Sequence, residues 1–225
     1  MAEPVPAPRP PRLPRELAPL VDPELDDQGE WSEREVCAEL LDRVATDVSI
    51  TASRLVRSAL TGSTLPRLEL RDTVLEGCDL SGVVIDQALI TRVELHECRM
   101  SGFVATRATL RDVRFVGCRL DEANFRMTKG ERVAFEECDL RGADFYEAEL
   151  VAASLRGCDL TGADVSGANL RGARLHGSRL DDLKGARSLA GAVIDPDQVV
   201  MLSRSLLHAL DIEVDDEDDP RLDGE

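Results

Sequence analysis

Aromatic side chains are nearly absent from this chain: five Phe, one Tyr and one Trp in 225 residues. Leu and Ala are abundant instead, which suits a thin body with a narrow interior. No stretch approaches the roughly 18 uninterrupted apolar residues that a membrane span needs. No basic segment followed by an apolar one opens the chain, so a secretory signal is not expected. The only histidines are His96, His176 and His208, and none has a neighbour that completes a nucleophile–base pair. Motifs of the HExxH, GxSxG or Gly-rich phosphate-loop kind do not occur. An enzyme is therefore not expected, nor a cofactor or a metal.

What the chain has in excess is order at a period of five. From Ile50 to Leu180, 25 of the 27 residues spaced five apart are Leu, Ile, Val, Met or Phe. The exceptions are Ala105 and Gly130. Two residues earlier in each quintet stands a small residue (Ala, Ser, Thr, Cys or Val in 25 of 27), and two residues later stand 11 of the 16 glycines. Five matches neither the 3.6-residue helix nor the two-residue strand. It fits a chain that turns a corner every quintet, with the large and small residues both pointing inward. Four sides close one coil, and Cys78, Cys98, Cys118, Cys138 and Cys158 recur at that spacing, once in every fourth quintet. Each should lie over its equivalent one coil away, about 4.8 Å on strand spacing, so that 27 quintets rise roughly 30 Å. Repeats of this kind bury their apolar side only by stacking.

Particular residues refine this picture. Phe103, too large for its slot, and Ala105, too small for its own, should trade volume. Phe125 with Phe145, and Phe115 with Phe135, should stack. Gly130 is expected to mark a bulge or loop, with a partner-binding protrusion as the alternative. The cysteine column is expected to consist of small buried hydrophobes, because thiols pointing one way cannot converge on zinc. A reduced, cytoplasmic protein follows from that usage.

Quintets such as Ala163-Asp164-Val165-Ser166-Gly167 and Ala168-Asn169-Leu170-Arg171-Gly172 resemble the A(D/N)LXX consensus of pentapeptide-repeat proteins. The resemblance implies an all-β solenoid, a right-handed quadrilateral β-helix of about seven coils. It also implies a role in binding other proteins. Acidic relatives bind DNA gyrase and protect it from quinolones, and a C-terminal element can mediate dimerisation.

The segments around the solenoid, residues 48–185, read differently. Residues 1–30 are rich in Pro and acid, which precludes a regular helix; a disordered or loosely attached arm is expected, with a polyproline ligand as the alternative. Over 31–47, Ser32 with Glu35 resembles a capping box and Val36, Leu40, Leu41, Val44 and Val48 recur at helical spacing. A capping helix is expected there, with an irregular extra coil as the alternative. In residues 186–214, Gly191–Ile194 reads as a short strand. Asp195-Pro196-Asp197-Gln198 then reads as a helix start with Asp195 as N-cap, Pro196 in the first turn and Gln198 at the capping-box position. The face Val199, Leu202, Leu206, Leu207 and Leu210 should cap the last coil or pair two subunits. Residues 215–225 form an acidic tail.

The net charge of −17 divides as −5 over residues 1–60, −4 over 61–185 and −8 over 186–225. The tube itself alternates acids and bases, as cross-strand ion pairs would. Direct nucleic-acid binding needs a basic stripe that is not present. The acidic cluster Asp144, Tyr146, Glu147 and Asp164 is the best local candidate for a partner surface, and for a DNA mimic. Val84 and Val104, with Val74 and Leu89 nearby, are expected to be isolated exposed apolar residues, with a landing site for the arm or for a partner as the alternative. The reading is a non-enzymatic scaffold of unknown protein partner, with a topoisomerase-directed mimic as the alternative.

Overall fold

A computed structural model describes residues 5–213, and it shows how the five-residue beat becomes a tube. Every corner is made the same way. The residue two places after each large apolar one, from Ala52 to Asp182, has positive φ in every quintet, whether it is glycine or not. Where the corner closes as a turn, the small residue's N–H donates to the carbonyl of the large residue, as in Ser63 N to Leu60 O at 3.0 Å. This is a type II turn, whose third residue must be left-handed. Glycine meets that demand without a Cβ penalty, which explains its register.

The coils stack as parallel strands. Short strands Ala18–Pro19 (β1), Glu30–Ser32 (β2), Arg34–Val36 (β3), Ser49–Thr51 (β4) and Arg54–Val56 (β5) lead into four eight-residue strands. These are Glu69–Glu76 (β6), Leu89–His96 (β7), Thr109–Val116 (β8) and Lys129–Glu136 (β9), and Ser154–Arg156 (β10) closes the series. Each long strand runs over two faces of the tube. Leu70 pairs with Ile90, and Leu75 with Leu95, so each coil consumes four quintets. The long strands cover the first and second faces; the third and fourth are joined by single bridges in the same register, such as Asp79 with Arg99 on the third and Val84 with Val104 on the fourth. The result is a right-handed quadrilateral β-helix of about seven coils with one C-terminal helix, Gln198–Ala209 (α1).

The interior is apolar and formed by one continuous core. Phe115 stacks on Phe135 with centroids 4.7 Å apart, and Phe125 on Phe145 at 5.3 Å. Phe103 reaches across to Phe125 at 6.4 Å, where Ala105 leaves room. The small inward residues use their polar atoms in a common way. Ser58 donates to Val36 O at 3.1 Å, Thr128 to Ala105 O at 2.9 Å and Ser178 to Leu155 O at 3.0 Å. Cys78, Cys98, Cys118 and Cys158 make the equivalent longer contact through sulfur. The five column cysteines are buried and unpaired, and Cys37 is exposed.

Four expectations need correction. Gly130 interrupts nothing: it lies within β9, paired with Leu110. Its missing side chain makes room for Leu150 of the next coil, which stands 2.6 Å from where a Cβ would be. Residues 31–47 form part of an extra coil, the alternative reading, and not a helix. Glu39 pairs with Ala59 at the full interval of four quintets, whereas Glu30–Ser32 pairs with Ser49–Thr51 and Glu35 with Arg54, each one position short of it. This coil therefore lacks one residue at the corner holding Cys37. The strand expected at Gly191–Ile194 shrinks to one bridge, Val193 with Arg174.

The N-terminal arm is docked, and not on the Val84–Val104 column. Arg9 N donates to Asp112 Oδ1 at 3.1 Å and Arg12 N to Asp72 Oδ1 at 3.0 Å. The arm thus follows the corner between the first two faces, running opposite to the direction in which the coils advance. Val84 and Val104 remain half-buried on the fourth face and Leu89 is exposed, while Val74, beside the arm, is buried. The 215–225 tail lies outside the described residues.

Candidate interaction surface

Three surfaces hold the residues singled out by the sequence. The acidic cluster sits on the fourth face, where Asp144 and Asp164 bridge directly in consecutive coils. Each carboxylate is turned back onto its own loop: Asp144 Oδ1 accepts from Tyr146 N and Asp164 Oδ1 from Ser166 N, both at 2.8 Å. Burial works against the Asp164 charge, but the Ser166 hydroxyl and N–H outweigh it and hold the carboxyl below its usual value. Glu147, by hydrogen bond and charge, pushes the Tyr146 phenol up.

The cluster is also compensated. Arg126 Nη1 lies 2.8 Å from Asp144 Oδ2, and the same guanidinium sits 4.2 Å from the centroid of the Tyr146 ring. Lys184 bridges with Asp164 one coil further on. Beyond it, Lys184, Arg187, Arg204 and His208 line a cleft of about 520 Å³ under α1. The structure thus brings the four expected residues together, with Arg126 beside the stacked pair Asp144–Asp164 and Lys184 after it. Arg126 was detectable in the sequence, since it stands four quintets before Tyr146.

The face of α1 divides. Leu202 is buried at 1% exposure and Leu206 packs against the core, so these two close the last coil. Val199 and Leu210 are 55% and 56% exposed, and Leu207 is half-buried. A residue outside the expected face does most to dock the helix. Buried Gln198 donates through Nε2 to Leu175 O and Ser178 O, both at 2.6 Å, and accepts from Asp195 N at 2.7 Å. The capping-box contact therefore exists, but Asp195 uses its own carboxylate on Gly177 N at 2.6 Å, and Asp197 is the N-cap. The capping-box spacing pointed to the Asp195 contact, but nothing local in the sequence signalled the two carbonyls of the last coil.

The third surface, under the arm, was not anticipated as a site. Corner residues Asp72, Arg92, Asp112 and Arg132 form one alternating column. Arg92 clamps Asp72 at 2.5 and 2.6 Å, and Arg132 clamps Asp112 at 2.5 and 2.9 Å. Asp112 is 2% exposed. Pairs one coil apart recur elsewhere, as Arg111–Glu131 and Arg67–Asp47. His96 contacts Glu94 at 3.1 Å, and His176 approaches Asp195 at 3.8 Å. Among the described residues no group of three or more His, Cys, Asp or Glu could hold a metal ion, and no helix is long and apolar enough to cross a membrane.

Left-handed corners at every quintet, four-sided coils and inward small–large pairs define a pentapeptide solenoid. Residues 48–125 and 108–184 match the model of the pentapeptide repeat region, more than half of the chain between them, and the protein belongs to that family. No curated protein matches. Among solved structures, a trypsin-treated form of QnrB1, a plasmid-mediated fluoroquinolone resistance protein, is 21% identical. It covers 89% of this chain and 97% of its own, with a TM-score of 0.45. HetL, involved in heterocyst differentiation regulation in the cyanobacterium Nostoc sp. strain PCC 7120, is 21% identical over 75% and 90%, with a TM-score of 0.29. A pentapeptide repeat protein of the Arabidopsis thaliana thylakoid lumen is 20% identical over 56% and 72%, with a TM-score of 0.21. At these identities the likeness is one of fold.

Proposed function

We propose that this protein is a non-enzymatic scaffold that binds another protein along the fourth face of its tube. The observation that carries the reading is the fixed presentation of Asp144, Tyr146, Glu147 and Asp164. They stand on adjacent outward positions of two stacked coils, and Arg126 braces them from the coil before. Side chains already held by turn hydrogen bonds lose little freedom on binding, which is where rigid surfaces gain affinity. Tyr146, a half-buried aromatic beside a guanidinium, has the character of an interface anchor. In this proposal two copies pair through the exposed edge of α1, Val199, Val200 and Leu210.

A second reading, a DNA-mimicking modulator of a type II topoisomerase such as DNA gyrase, takes its support from the stacked Asp144–Asp164 pair. A mimic needs carboxylates at phosphate-like density, and Arg126 and Lys184 work against that here. The test is capture through a photo-crosslinker at Tyr146, with the wild type and with Asp144→Lys/Asp164→Lys. The scaffold reading requires a partner held by the first and released by the second at an unchanged melting temperature. Recovery of gyrase subunits, with inhibited supercoiling, would select the mimic. Capture that ignores the reversal would refute both for this face.

A further inference from the structure

The arm and its corner share a length scale. A polyproline helix has three residues per turn and rises about 3.1 Å per residue, so N–H groups three apart lie on one side, about 9.3 Å from each other. Arg9 and Arg12 are such a pair. Their acceptors, Asp112 and Asp72, are two coils apart, about 9.6 Å on strand spacing. The two periods agree to about 0.3 Å. Between the donors stand Pro10 and Pro11, which have no N–H to leave unsatisfied. Before them, Val5–Pro8 share a cleft with Ala134, Glu136, Ser154 and Arg156.

The acceptors are prepared independently of the arm. Arg92 and Arg132 each clamp one carboxylate through two nitrogens, which holds the Oδ1 atoms at fixed positions. These arginines, assisted by the arm N–H groups and against the effect of burial, hold Asp72 and Asp112 below their ordinary values. The acceptors are therefore charged at neutral pH, and bonds to a charged acceptor are stronger than neutral ones.

We propose that this corner is a binding site for proline-rich segments in the polyproline conformation, occupied in cis by the N-terminal arm and open in trans to a proline-rich segment of a partner protein. The site reads main-chain N–H groups at positions i and i+3 with proline between them, in one chain direction. Among the described residues, two hydrogen bonds of this kind hold the arm, and the tether at β1 keeps it in place. A tether supplies an effective concentration of about a millimolar, which a partner segment must exceed or displace. The proposal concerns a different edge of the tube from the fourth-face surface and stands whether or not that reading holds.

The test frees the corner in the full-length chain without touching it. Arg9→Pro/Arg12→Pro keeps the polyproline conformation and removes both donors. A fluorescein-labelled peptide of residues 5–16 is titrated into this variant and into the wild type, with anisotropy as the readout. The variant should bind saturably, the wild type at least ~10-fold more weakly because its own arm competes. The same peptide N-methylated at Arg9 and Arg12 should not bind. Absent binding to the variant, equal binding to the wild type, or equal binding of the N-methylated peptide would each overturn the proposal. A second measurement needs no variant: the Arg9 and Arg12 amides of the wild type should exchange at least ~10-fold more slowly than in the free peptide. Exchange at the peptide's rate would overturn it too.

Discussion

Gly130 offers the sharpest test of how the tube is packed. It stands where a large inward residue belongs, and its space is filled by Leu150 Cδ2, with Val133 Cγ2 3.0 Å from the same point. Leu150 and Val133 are each 2% exposed, so neither can move into solvent. Gly130→Leu alone should overpack the coil and cost about 1–3 kcal/mol. Leu150→Ala alone removes the filling side chain and should cost about 2–5 kcal/mol, transfer and cavity together. The double variant puts the new Leu into the space left by the old one. It should therefore be at least ~2 kcal/mol more stable than independent effects would make it, as expected for two residues that share one cavity. Equilibrium unfolding in urea, read by far-UV circular dichroism, gives all three values if the slopes agree. Additivity to within ~0.5 kcal/mol would show that Gly130 and Leu150 do not share space, and the volume-exchange account would fail.

Three further outcomes follow from the same structure. Gln198→Ala leaves Ser178 O buried without its donor, at about 1–3 kcal/mol, while Leu175 O keeps the Ser178 N–H at 3.1 Å; hydrogen exchange should rise across α1 and the last coil while β6–β9 stay protected. Asp72 and Asp112 have lowered folded-state values relative to an ordinary 3.8, so their contribution is complete above that pH and is lost as pH falls through the folded values. Protection of the Arg9 and Arg12 amides should accordingly be flat from pH 7 to 5 and decline below about pH 4, and a steady decline across pH 7 to 5 would contradict the assignment. With a thiol reagent, Cys37 should react promptly in the native protein and the five buried thiols only after denaturation. Burial in the packed column keeps all five from the reagent until the coils open.

The repeat was legible because each inward position has a single demand and meets it in quintet after quintet. The departures were misread where one residue belonged to two patterns. Val36 and Leu40 are four apart because their coil lacks a corner residue, and four is also a helical interval, so the segment looked amphipathic. Gly130 looked like a break because its explanation lies one coil away, in the far end of Leu150. Prolines in the arm forbid a helix and suggested disorder, yet the arm's acceptors become visible only when Asp72 and Asp112 are seen two coils apart. At the acidic cluster, the carboxylates were found and the compensating Arg126, one coil earlier, was not weighed. On α1 the apolar stripe drew attention to five residues, while polar Gln198 makes three of the contacts that hold the helix.

The agreement between the arm and the tube behaves like a vernier, two scales whose divisions almost coincide. A mismatch of about 0.3 Å accumulates with every two coils, so a longer polyproline segment would drift out of hydrogen-bonding reach after several more pairs. The corner is therefore a gauge of limited span, and it admits a short strap while rejecting a long one. The tube carries its own end-stop as well: Ala152 and Gly172 continue the corner column beyond Arg132, and neither offers a carboxylate for the next division.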